Sequence, residues 1–539
     1  MVNVFMKNFF VVSFLKKICR DKELLNLALI VLYVALAFFL NEFVQNKPRY
    51  RMSFFLSMAF LLPVFLFPKQ VKIYLLLFLG IVYIPTLINV AHIVIFGEAI
   101  NPASLRCIFD TNWAEAWEFI VHFSSWQLAI CLLAVLTFAL LAFRTARPVN
   151  KLNPNLIKFL SRFCYLCLIL TICKGAYTYY DRSNQLPILA LRDELHSYNQ
   201  EVETTLRLRN SLPEYRFRNI KSSLPDDLPQ TYVLVIGESL NRNHMSLYGY
   251  QRETSPLLKQ IQNELLLFDN VYSPHATTLA SLTKVLSFAN DDAEGLAMLR
   301  GSLVDYFKDA GFKTFWISNQ FDSGENDDLL GVWGHAADEP LFINKSYWRN
   351  LNAPFDEKVI PVFETALQDK APKKLILVHL MGSHTRYTKR YPNSFNKFSG
   401  DGARALNVAQ YDNSVLYNDF VVRSLIETLR KYSNDRAASL LYLSDHGEDV
   451  SEAPDSCHCH SEVIASEEMF QIPFIVWTSS KYNQIRSDFV QKIKSKQNVL
   501  FNSENLIHAF AELAGLKNKD INPRLSLFAD NYKIPDEPF

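Results

Sequence analysis

The chain has 539 residues, of which 55 are basic and 54 acidic, so its formal net charge at pH 7 is only +1. This length exceeds that of one ordinary domain, and the charge balance lacks the basic excess of nucleic-acid-binding proteins, which excludes nucleic acid as a partner. Apolar residues dominate up to about Tyr180, whereas the remainder has the mixed, charged composition of a soluble globular domain. The composition therefore predicts a membrane domain followed by a water-soluble domain.

Five stretches near the N-terminus are apolar enough, and close enough to the roughly 20 residues that a bilayer requires, to be membrane-spanning helices. A buried helix of a soluble protein is the alternative for each stretch, but five in succession with polar connectors favour spans. The second stretch is short and contains Pro63. The stretches cover residues 24–43, 52–67, 73–96, 117–143 and 156–177.

Lysine and arginine residues beside the predicted spans fall mostly on one side of the membrane. Because such residues stay on the cytoplasmic side, we predict a cytoplasmic N-terminus in a multi-pass inner-membrane protein, with the soluble domain in the periplasm. Lys47, Arg49 and Arg51 lie on the opposite side and oppose this orientation. The residues that favour it are Lys7, Lys16, Lys17, Arg20, Lys22, Lys69, Lys72, Arg144, Arg147, Lys151 and Lys158.

Two polar segments accompany these spans. The loop between the third and fourth spans contains Glu115, which is either a solvated interfacial group or an anion that attracts a lipid ammonium group. Residues 181–230 read as an amphipathic helix on the membrane surface or a plain linker helix, and they end in a proline-rich stretch. We therefore predict a transmembrane domain at 1–180, a bridging helix and linker at 181–230, and a soluble domain at 231–539.

Short apolar segments alternate with helical patterns in the soluble domain, an order that predicts βαβ units and a parallel sheet. Their near-continuous apolarity indicates strands that are covered on both faces. We predict an α/β domain with a doubly wound, mostly parallel sheet after five N-terminal transmembrane helices. The predicted strands cover residues 232–236, 314–317, 375–380, 440–443 and 474–477.

Polar side chains follow four of these five strands within a few residues. Glu238, Asn319 and His384 follow the first three strands, and Asp445 and His446 follow the fourth. Because the carboxyl ends of parallel strands lie along one edge of a sheet, these groups are expected to converge. Two carboxylates and an imidazole suit zinc or manganese, and we assign Asn319 and His384 to substrate binding. Taken singly, each of these residues is more often a capping or surface group.

Thr278 is a candidate nucleophile because it begins a helical pattern of apolar residues that includes Leu279, Leu282 and Val285. Free backbone N–H groups and the helix dipole favour an anion at a helix start, although the ordinary role of a threonine there is that of an N-cap. A hydroxyl held by a metal ion is activated by the cation, without a separate base.

A compact cluster of cysteine and histidine follows, formed by Cys457, His458, Cys459 and His460. Its spacing is too tight for a zinc finger. We expect one of the two histidines to reach the strand edge beside His384, where it would hold substrate or a second metal ion. The two cysteines are bridged, free or metal-bound, and these alternatives stay open.

These motifs resemble the membrane-bound phosphoethanolamine transferases of Gram-negative bacteria, within the alkaline phosphatase and sulfatase superfamily. The resemblance covers nearly the whole chain, including five spans and the order of the motifs. It rests on residues 233–239, 247–256, 381–384 and 444–448, and on Thr278. It implies that Glu238, Thr278, Asp445 and His446 bind one zinc ion, or the first of two, with manganese as the less favoured metal.

The resemblance further implies a two-step reaction. Thr278 would attack the phosphate of phosphatidylethanolamine, release diacylglycerol and pass phosphoethanolamine on to an acceptor. His384 and His460, with His458 as an alternative in register, would stabilise the phosphoryl oxygens or protonate the leaving group. Glu115 is similar to the family's periplasmic-loop glutamate that helps to form the lipid site.

Two departures from the family pattern concern the acceptor. The lipid A-modifying branch carries cysteines around its nucleophile, which this chain lacks, and Cys107 replaces an asparagine of that branch's membrane loop. The chain therefore looks closer to relatives that modify lipopolysaccharide core or periplasmic glucans, and the expected acceptors are lipopolysaccharide core, lipid A or periplasmic glucan.

We expect a membrane-embedded monomer that takes phosphatidylethanolamine as its donor. One alternative is a phosphoglycerol transferase of the lipoteichoic acid synthase type. The other is a non-catalytic membrane sensor with a degenerate sulfatase-like domain, which predicts missing metal ligands.

Overall fold

The protein is described from a computed structural model that covers residues 21–43, 50–96, 100, 126–149, 151–177, 192, 195–196, 216–288, 301–321, 329–344, 354–450, 460 and 465–537. These residues fall into two compact units. The described residues from Asp21 to His196 form the first unit, and those from Arg216 to Glu537 form the second.

The regular elements among the described residues of the first unit are all helices. Proline is tolerated in the first turn of a helix, and Pro63 lies there, so the predicted second span is divided into two helices at Leu61. A π-helical turn, Leu79–Tyr83, separates α4 from α5. The α-helices are Lys22–Phe43 (α1), Tyr50–Phe60 (α2), Leu62–Leu66 (α3), Val71–Phe78 (α4), Ile84–Phe96 (α5), Trp126–Thr145 (α6) and Pro154–Tyr177 (α7).

Three helical stretches of the described residues are long and apolar enough to cross a membrane, namely Lys22–Leu40, Val71–Ile93 and Pro154–Ile172. Shorter apolar helices, Ser53–Leu66 and Val135–Arg144, lie in the other two predicted spans. Helical structure thus occurs in all five predicted stretches, although the first residues of the fourth, 117–125, lie outside the described part. The N-terminal apolar helices are confirmed, and the number of spans stays a prediction.

The second unit is built on a sheet that has seven strands among the described residues, in the spatial order β3-β9-β8-β2-β7-β5-β6. Strands β8, β2, β7, β5 and β6 are parallel, whereas β9 and β3 add an antiparallel pairing at one edge. The strands are Lys221–Ser222 (β1), Gln230–Gly237 (β2), Leu265–Leu267 (β3), Val271–Tyr272 (β4), Lys313–Phe321 (β5), Glu339–Asn344 (β6), Lys373–His379 (β7), Ala437–Ser444 (β8), Phe474–Thr478 (β9), Phe501–Asn502 (β10) and Leu516–Lys517 (β11).

All five predicted strands occur, as β2, β5, β7, β8 and β9, and the sheet is mostly parallel as predicted. β9 runs antiparallel to β8. An antiparallel edge on an otherwise parallel sheet is common, and apolarity does not report strand direction. Strands β3 and β6 were not predicted, because they are edge strands with less continuous apolar sequence.

Successive residues of the central strands pack into two different cores, one on each face of the sheet. Tyr232, Leu234 and Ile236 of β2 join one core, and Val233 and Val235 join the other. Both faces are therefore buried, as the apolar strand sequences predict. The α-helices of this unit are Pro256–Lys259 (α8), Thr278–Val285 (α9), Leu303–Asp309 (α10), Leu329–Ala336 (α11), Val359–Gln368 (α12), Ala403–Lys431 (α13), Ser480–Ile485 (α14), Ser487–Lys494 (α15) and Leu506–Leu513 (α16).

The register of the parallel strands brings their carboxyl ends to one level. Gly237 of β2 is paired with Ser444 of β8, and Ile236 with His379 of β7. Ser318 of β5 is paired with the same His379. The residues that follow these four strands therefore lie side by side at one edge of the sheet.

Candidate active site

Glu238 and Asp445 are neighbours because they directly follow the paired strand ends of β2 and β8. Asp445 Oδ1 accepts hydrogen bonds from the backbone N–H groups of Ser239, at 3.0 Å, and His446, at 2.7 Å. Ser239 has a left-handed backbone, with φ at 54°, so the chain turns sharply directly after Glu238. Both carboxylates are almost completely buried, at 1 % and 0 % exposure.

His446 turns one ring nitrogen toward these carboxylates. Its Nδ1 lies 2.7 Å from the carbonyl oxygen of Gly447, so Nδ1 carries the proton and donates it. Nε2 then lies 3.3 Å from Glu238 Oε1 and 3.5 Å from Asp445 Oδ2. Such a backbone contact fixes the orientation of a metal-binding imidazole and leaves the other nitrogen available as a ligand.

Thr278 completes this group from the first residue of α9, directly after the N-cap Thr277. The Thr278 hydroxyl donates a hydrogen bond to Glu238 Oε2 at 3.0 Å, and Thr278 Oγ1 lies 3.4 Å from His446 Nε2. Ser281, one turn later, donates its hydroxyl to the backbone carbonyl of Asp445 at 2.6 Å. The start of α9 is therefore fastened to the end of β8.

The polar atoms of these four residues have spacings that suit a zinc site. Ligand atoms about 2.0 Å from a tetrahedral zinc ion lie about 3.3 Å from one another. His446 Nε2 lies 3.3 to 3.5 Å from atoms of Glu238, Asp445 and Thr278, and Thr278 lies 3.0 Å from the second oxygen of Glu238. Asp445 Oδ2 is also buried without a hydrogen-bond partner among the described residues. A buried polar atom of this kind calls for a ligand, and Glu238, Asp445 and His446 form a group able to hold a metal ion.

The electrostatics of these residues also point to a cation. Burial alone would lower the pKa of His446, but the Asp445 and Glu238 carboxylates outweigh it and raise that pKa to about 10. Burial and the neighbouring Glu238 raise the pKa of Asp445 well above its usual value. Burial opposes ionisation of Glu238 as well, yet His446 holds its pKa well below the usual range. The raised pKa of His446 shows that the carboxylates beside its ring favour a positive charge at this position.

His384 approaches the site on the loop after β7, which is pressed against Glu238. Ser383 N donates to Glu238 O at 2.9 Å. Gly382 has φ at 51°, and a Cβ there would lie 2.5 Å from Glu238 O, so only glycine fits this contact. Burial lowers the pKa of His384 to about 3. The Glu238 carboxylate acts against this shift, and the positive charge of Arg390 adds to it. His384 is therefore neutral near pH 7.

His460 is the second histidine that the structure brings to the site. Its ring lies 4.6 Å from the ring of His446 and 5.7 Å from that of His384, measured between centroids. Its Nδ1 lies 2.8 Å from Glu448 Oε2. His458, the alternative in register, lies outside the described residues, so the assignment of His460 and His384 as catalytic or substrate-binding groups stays a prediction.

Asn319, predicted to bind substrate, is fully buried. Asn319 Nδ2 donates to Pro354 O at 2.7 Å and to Asp356 Oδ1 at 2.8 Å, and its contact with substrate stays a prediction. The next residue, Gln320, reaches the site with Nε2 3.4 Å from Glu238 Oε2. Gln320 was not predicted, because a lone glutamine at the end of a strand carries no chemical signal.

Asp356 is another residue without a sequence signal. Its buried carboxylate accepts from the backbone N–H groups of Met381 and Gly382, each at 2.9 Å, so it holds the loop that carries His384. Other residues singled out in the sequence also lie outside the described part of the chain, among them Cys107, Glu115, Cys457 and Cys459. The predicted headgroup role of Glu115 is therefore still a prediction.

The sheet order and the strand-edge metal group define an α/β metalloenzyme of the sulfatase type. In agreement, the sulfatase family matches residues 230–516. The phosphoethanolamine transferase EptC of Escherichia coli O18:K1:H7 is 33% identical over 513 residues, which is 90% of this chain and 87% of the relative. The chain belongs to the phosphoethanolamine transferases of the sulfatase family.

Solved structures agree with this assignment. The C-terminal periplasmic domain of Escherichia coli EptC in complex with Zn has a TM-score of 0.55 and 35% identity, covering 60% of this chain and 92% of that domain. The integral membrane lipooligosaccharide phosphoethanolamine transferase A (EptA) from Neisseria meningitidis has a TM-score of 0.67 and 22% identity. The match covers 93% of this chain and 98% of the EptA chain. The two-part fold is therefore shared along nearly the whole length.

Family membership makes the chain a metal-dependent transferase of the phosphoethanolamine class. EptC matches 90% of this chain at 33% identity, whereas the Kdo(2)-lipid A phosphoethanolamine 7''-transferase of Escherichia coli K12 matches 48% at 29%, which agrees with the predicted distance from the lipid A-modifying branch. The apolar helices and the match to a periplasmic domain make it an inner-membrane protein with a periplasmic C-terminal domain. The non-catalytic alternative predicted missing ligands, whereas all four predicted donors are present and clustered.

Proposed function

We propose that the protein transfers phosphoethanolamine from phosphatidylethanolamine, through a phosphoethanolamine ester of Thr278, to a lipopolysaccharide or glycan acceptor of the cell envelope. The observation that carries this proposal is the position of the Thr278 hydroxyl, 3.0 Å from Glu238 Oε2 and 3.4 Å from His446 Nε2 at the start of α9. An anionic phosphate is favoured at such a helix start.

The transfer has two steps that mirror each other. In the first, the Thr278 oxygen forms a bond to phosphorus while the bond from phosphorus to the glycerol oxygen breaks, and diacylglycerol leaves with the proton. In the second, an acceptor oxygen forms the new bond to phosphorus, and the Thr278 oxygen leaves and regains a proton. The atoms of both substrates are thereby conserved, and the enzyme returns to its starting state.

The residues of the site divide this work. Glu238, Asp445, His446 and Thr278 are suited to hold a zinc ion, which when bound lowers the pKa of a hydroxyl and neutralises phosphate charge. Glu238 accepts the hydrogen bond of the Thr278 hydroxyl and so orients its oxygen. Neutral His384 can donate a hydrogen bond to a phosphoryl oxygen, and His460 can supply or accept the proton that moves.

The membrane unit fits a lipid donor. We infer that the N-terminus is cytoplasmic, because most lysine and arginine residues beside the spans lie on the N-terminal side. The catalytic domain then works at the outer face of the inner membrane, where phosphatidylethanolamine and envelope glycans are both within reach. We also propose that the protein acts as a monomer, since all the donors of the site come from one chain.

Mass spectrometry of the purified protein tests the intermediate. An adduct of the mass of phosphoethanolamine should map to Thr278 and disappear in Thr278→Ala. Thr283→Ala is the matched control, because Thr283 lies on the same helix outside the metal group and should leave the adduct in place. An adduct that survives Thr278→Ala, or that maps to another residue, would refute the assignment of the nucleophile.

The donor and acceptor require separate measurements. Labelled phosphatidylethanolamine should yield diacylglycerol, whereas labelled phosphatidylglycerol should not; the reverse result would favour the phosphoglycerol transferase alternative. For the acceptor, the phosphoethanolamine content of lipopolysaccharide core, lipid A and periplasmic glucan is compared with and without the gene. We expect the loss to fall on core or glucan, in keeping with the two departures of the sequence from the lipid A-modifying branch.

A further inference from the structure

Glu448 is a buried carboxylate close to the reaction centre that the mechanism above does not use. It is completely buried, and its carboxylate is hydrogen-bonded to the ring of His460 and to the hydroxyl of Tyr387. We propose that Glu448 is a positioning residue that holds His460 by Nδ1, so that Nε2 of the ring is presented to the phosphoryl group. This inference rests on the proposed function.

Hydrogen bonds fix both oxygens of the Glu448 carboxylate. Oε2 lies 2.8 Å from His460 Nδ1, and Oε1 accepts a hydrogen bond from the Tyr387 hydroxyl at 2.6 Å. Tyr387 is itself buried and packs edge-on against the ring of Tyr411, with 5.0 Å between centroids. A carboxylate held in this way has one orientation, and it imposes that orientation on the histidine it binds.

The contact also decides which nitrogen of His460 can act on substrate. Because Nδ1 donates its hydrogen to Glu448, Nε2 is the nitrogen left for substrate, and it lies on the opposite side of the ring. The His460 ring is next to the rings of His446 and His384, and the side chain is 20% exposed. His460 therefore lies between the metal group and solvent, where a leaving oxygen would depart.

This placement gives His460 a definite part in both steps. In the first step the Thr278 oxygen bonds to phosphorus and its hydroxyl proton passes to solvent; the bond from phosphorus to the glycerol oxygen breaks, Nε2–H passes its proton to that oxygen, and diacylglycerol leaves neutral. In the second step the acceptor oxygen bonds to phosphorus while Nε2 takes its hydroxyl proton, the bond from phosphorus to the Thr278 oxygen breaks, and that oxygen regains a proton from solvent. Glu448 stays hydrogen-bonded to Nδ1–H throughout and stabilises the positive charge on the ring.

A second metal ion is the rival explanation, because atoms of His446, Glu448 and His460 lie within 4.8 Å of one another. The hydrogen bonds oppose it. Nδ1 of His446 is bound to Gly447 O, and Nε2 faces the other carboxylates. One oxygen of Glu448 is taken by Tyr387. The other oxygen is held by His460 Nδ1, so within this group of three described residues a single ring nitrogen, Nε2 of His460, is left, which is too few ligands for a tightly held ion.

The test is a double-mutant cycle on the full-length protein in detergent, with labelled phosphatidylethanolamine as the substrate and diacylglycerol release as the readout. Glu448→Gln should lower kcat about 10- to 100-fold, with KM, zinc content and melting temperature unchanged. In a His460→Ala background the same change should have no further effect on kcat, because it acts only through His460.

Tyr387→Phe is the matched control, since it removes one hydrogen bond to Glu448 and leaves the contact with His460. We expect it to lower kcat less than Glu448→Gln does. Fully additive losses in the cycle would overturn the inference, and so would the loss of a zinc equivalent in Glu448→Gln, which would make Glu448 a metal ligand. A wild-type protein that releases no diacylglycerol would overturn the proposed function and this inference together.

Discussion

The two sides of the active site are built in different ways. On the metal side, Glu238 and Asp445 directly follow paired strands, and the register of β2 and β8 fixes their backbones. On the histidine side, His384 and His460 are positioned by side chains of other segments, Asp356 through the loop of His384 and Glu448 directly. The first side depends on the sheet, and the second depends on individual hydrogen bonds.

This difference separates the part of the chemistry that is fixed from the part that can vary. A ligand held by strand register cannot shift without disturbing the core of the sheet. Loops that are held by a few hydrogen bonds tolerate changes of sequence and are where binding specificity usually resides. We therefore propose that the metal side is the constant part of the reaction centre, and that the loops of the histidine side, besides serving the reaction, select the acceptor.

The largest expected effect comes from breaking the metal side. Asp445→Ala should lower zinc affinity by more than about 100-fold, beyond what is typical of residues outside the ligand shell, and abolish diacylglycerol release. Metal analysis and melting temperature, each with and without added zinc, measure the change. A variant that kept full zinc content would show that Asp445 is not a ligand.

Removing a histidine should do less damage. His384→Ala is expected to lower kcat about 10²-fold, the usual contribution of one positioned acid, base or hydrogen-bond donor. Zinc content should stay the same, because His384 lies outside the metal group. If His384→Ala also lost zinc, His384 would contribute to metal binding, and the metal side and the histidine side would not be independent.

Protons should compete with zinc on the metal side. The Asp445 and Glu238 carboxylates raise the pKa of His446 to about 10 against the effect of burial, so this imidazole is protonated near pH 7 until zinc displaces the proton. Apparent zinc affinity should therefore fall about tenfold for each pH unit of acidification below that pKa. Competition with a chelator at a series of pH values measures the slope, and a flat profile would contradict the ligand role of His446.

The loop of His384 should be sensitive to a single methyl group. In Gly382→Ala the new Cβ would meet the backbone of Glu238 at 2.5 Å, so the loop must move and diacylglycerol release should fall about tenfold or more. Gly249→Ala is the control, because Gly249 also has a positive φ, of 99°, but no atom within 4 Å of the added Cβ. Equal losses of activity in both variants would show that backbone strain alone is responsible.

The smallest effect separates the two neighbours at the end of β5. Asn319→Ala removes a hydrogen bond to the buried Asp356, and it should lower the free energy of unfolding by about 1–3 kcal/mol with little change in the KM for phosphatidylethanolamine. Gln320→Ala should raise the KM for phosphatidylethanolamine and leave the free energy of unfolding nearly unchanged. Thermal unfolding and steady-state kinetics of both variants distinguish them, and a raised KM in Asn319→Ala would support its predicted contact with substrate.

Much of the sheet and of the metal side could be predicted because strand sequence and motif lie in the same short stretch. The apolar run before Asp445 identifies β8, and the end of that run shows where the ligands must be. The same reasoning located Glu238. The edge strands β3 and β6 were not predicted, because they are short or only partly buried and their sequences carry weaker apolar patterns.

The supports of the histidine side could not be predicted for a different reason. Asp356, Gln320 and Glu448 act through single contacts with residues that are distant in sequence or in a loop. Their residue types are common on protein surfaces, and no spacing rule links them to their partners. Only three-dimensional coordinates show that Asn319 faces Asp356 while its neighbour Gln320 faces Glu238.

The bond between Ser239 and Asp445 joins residues that are 206 positions apart in the chain. Contacts of such high sequence separation form late, because the entropy of closing a long loop must first be overcome. A chain emerging on the outer face of the membrane would therefore present no complete metal site until its last central strand had arrived. Zinc would then be captured only by finished molecules, and its binding would stabilise the folded state alone.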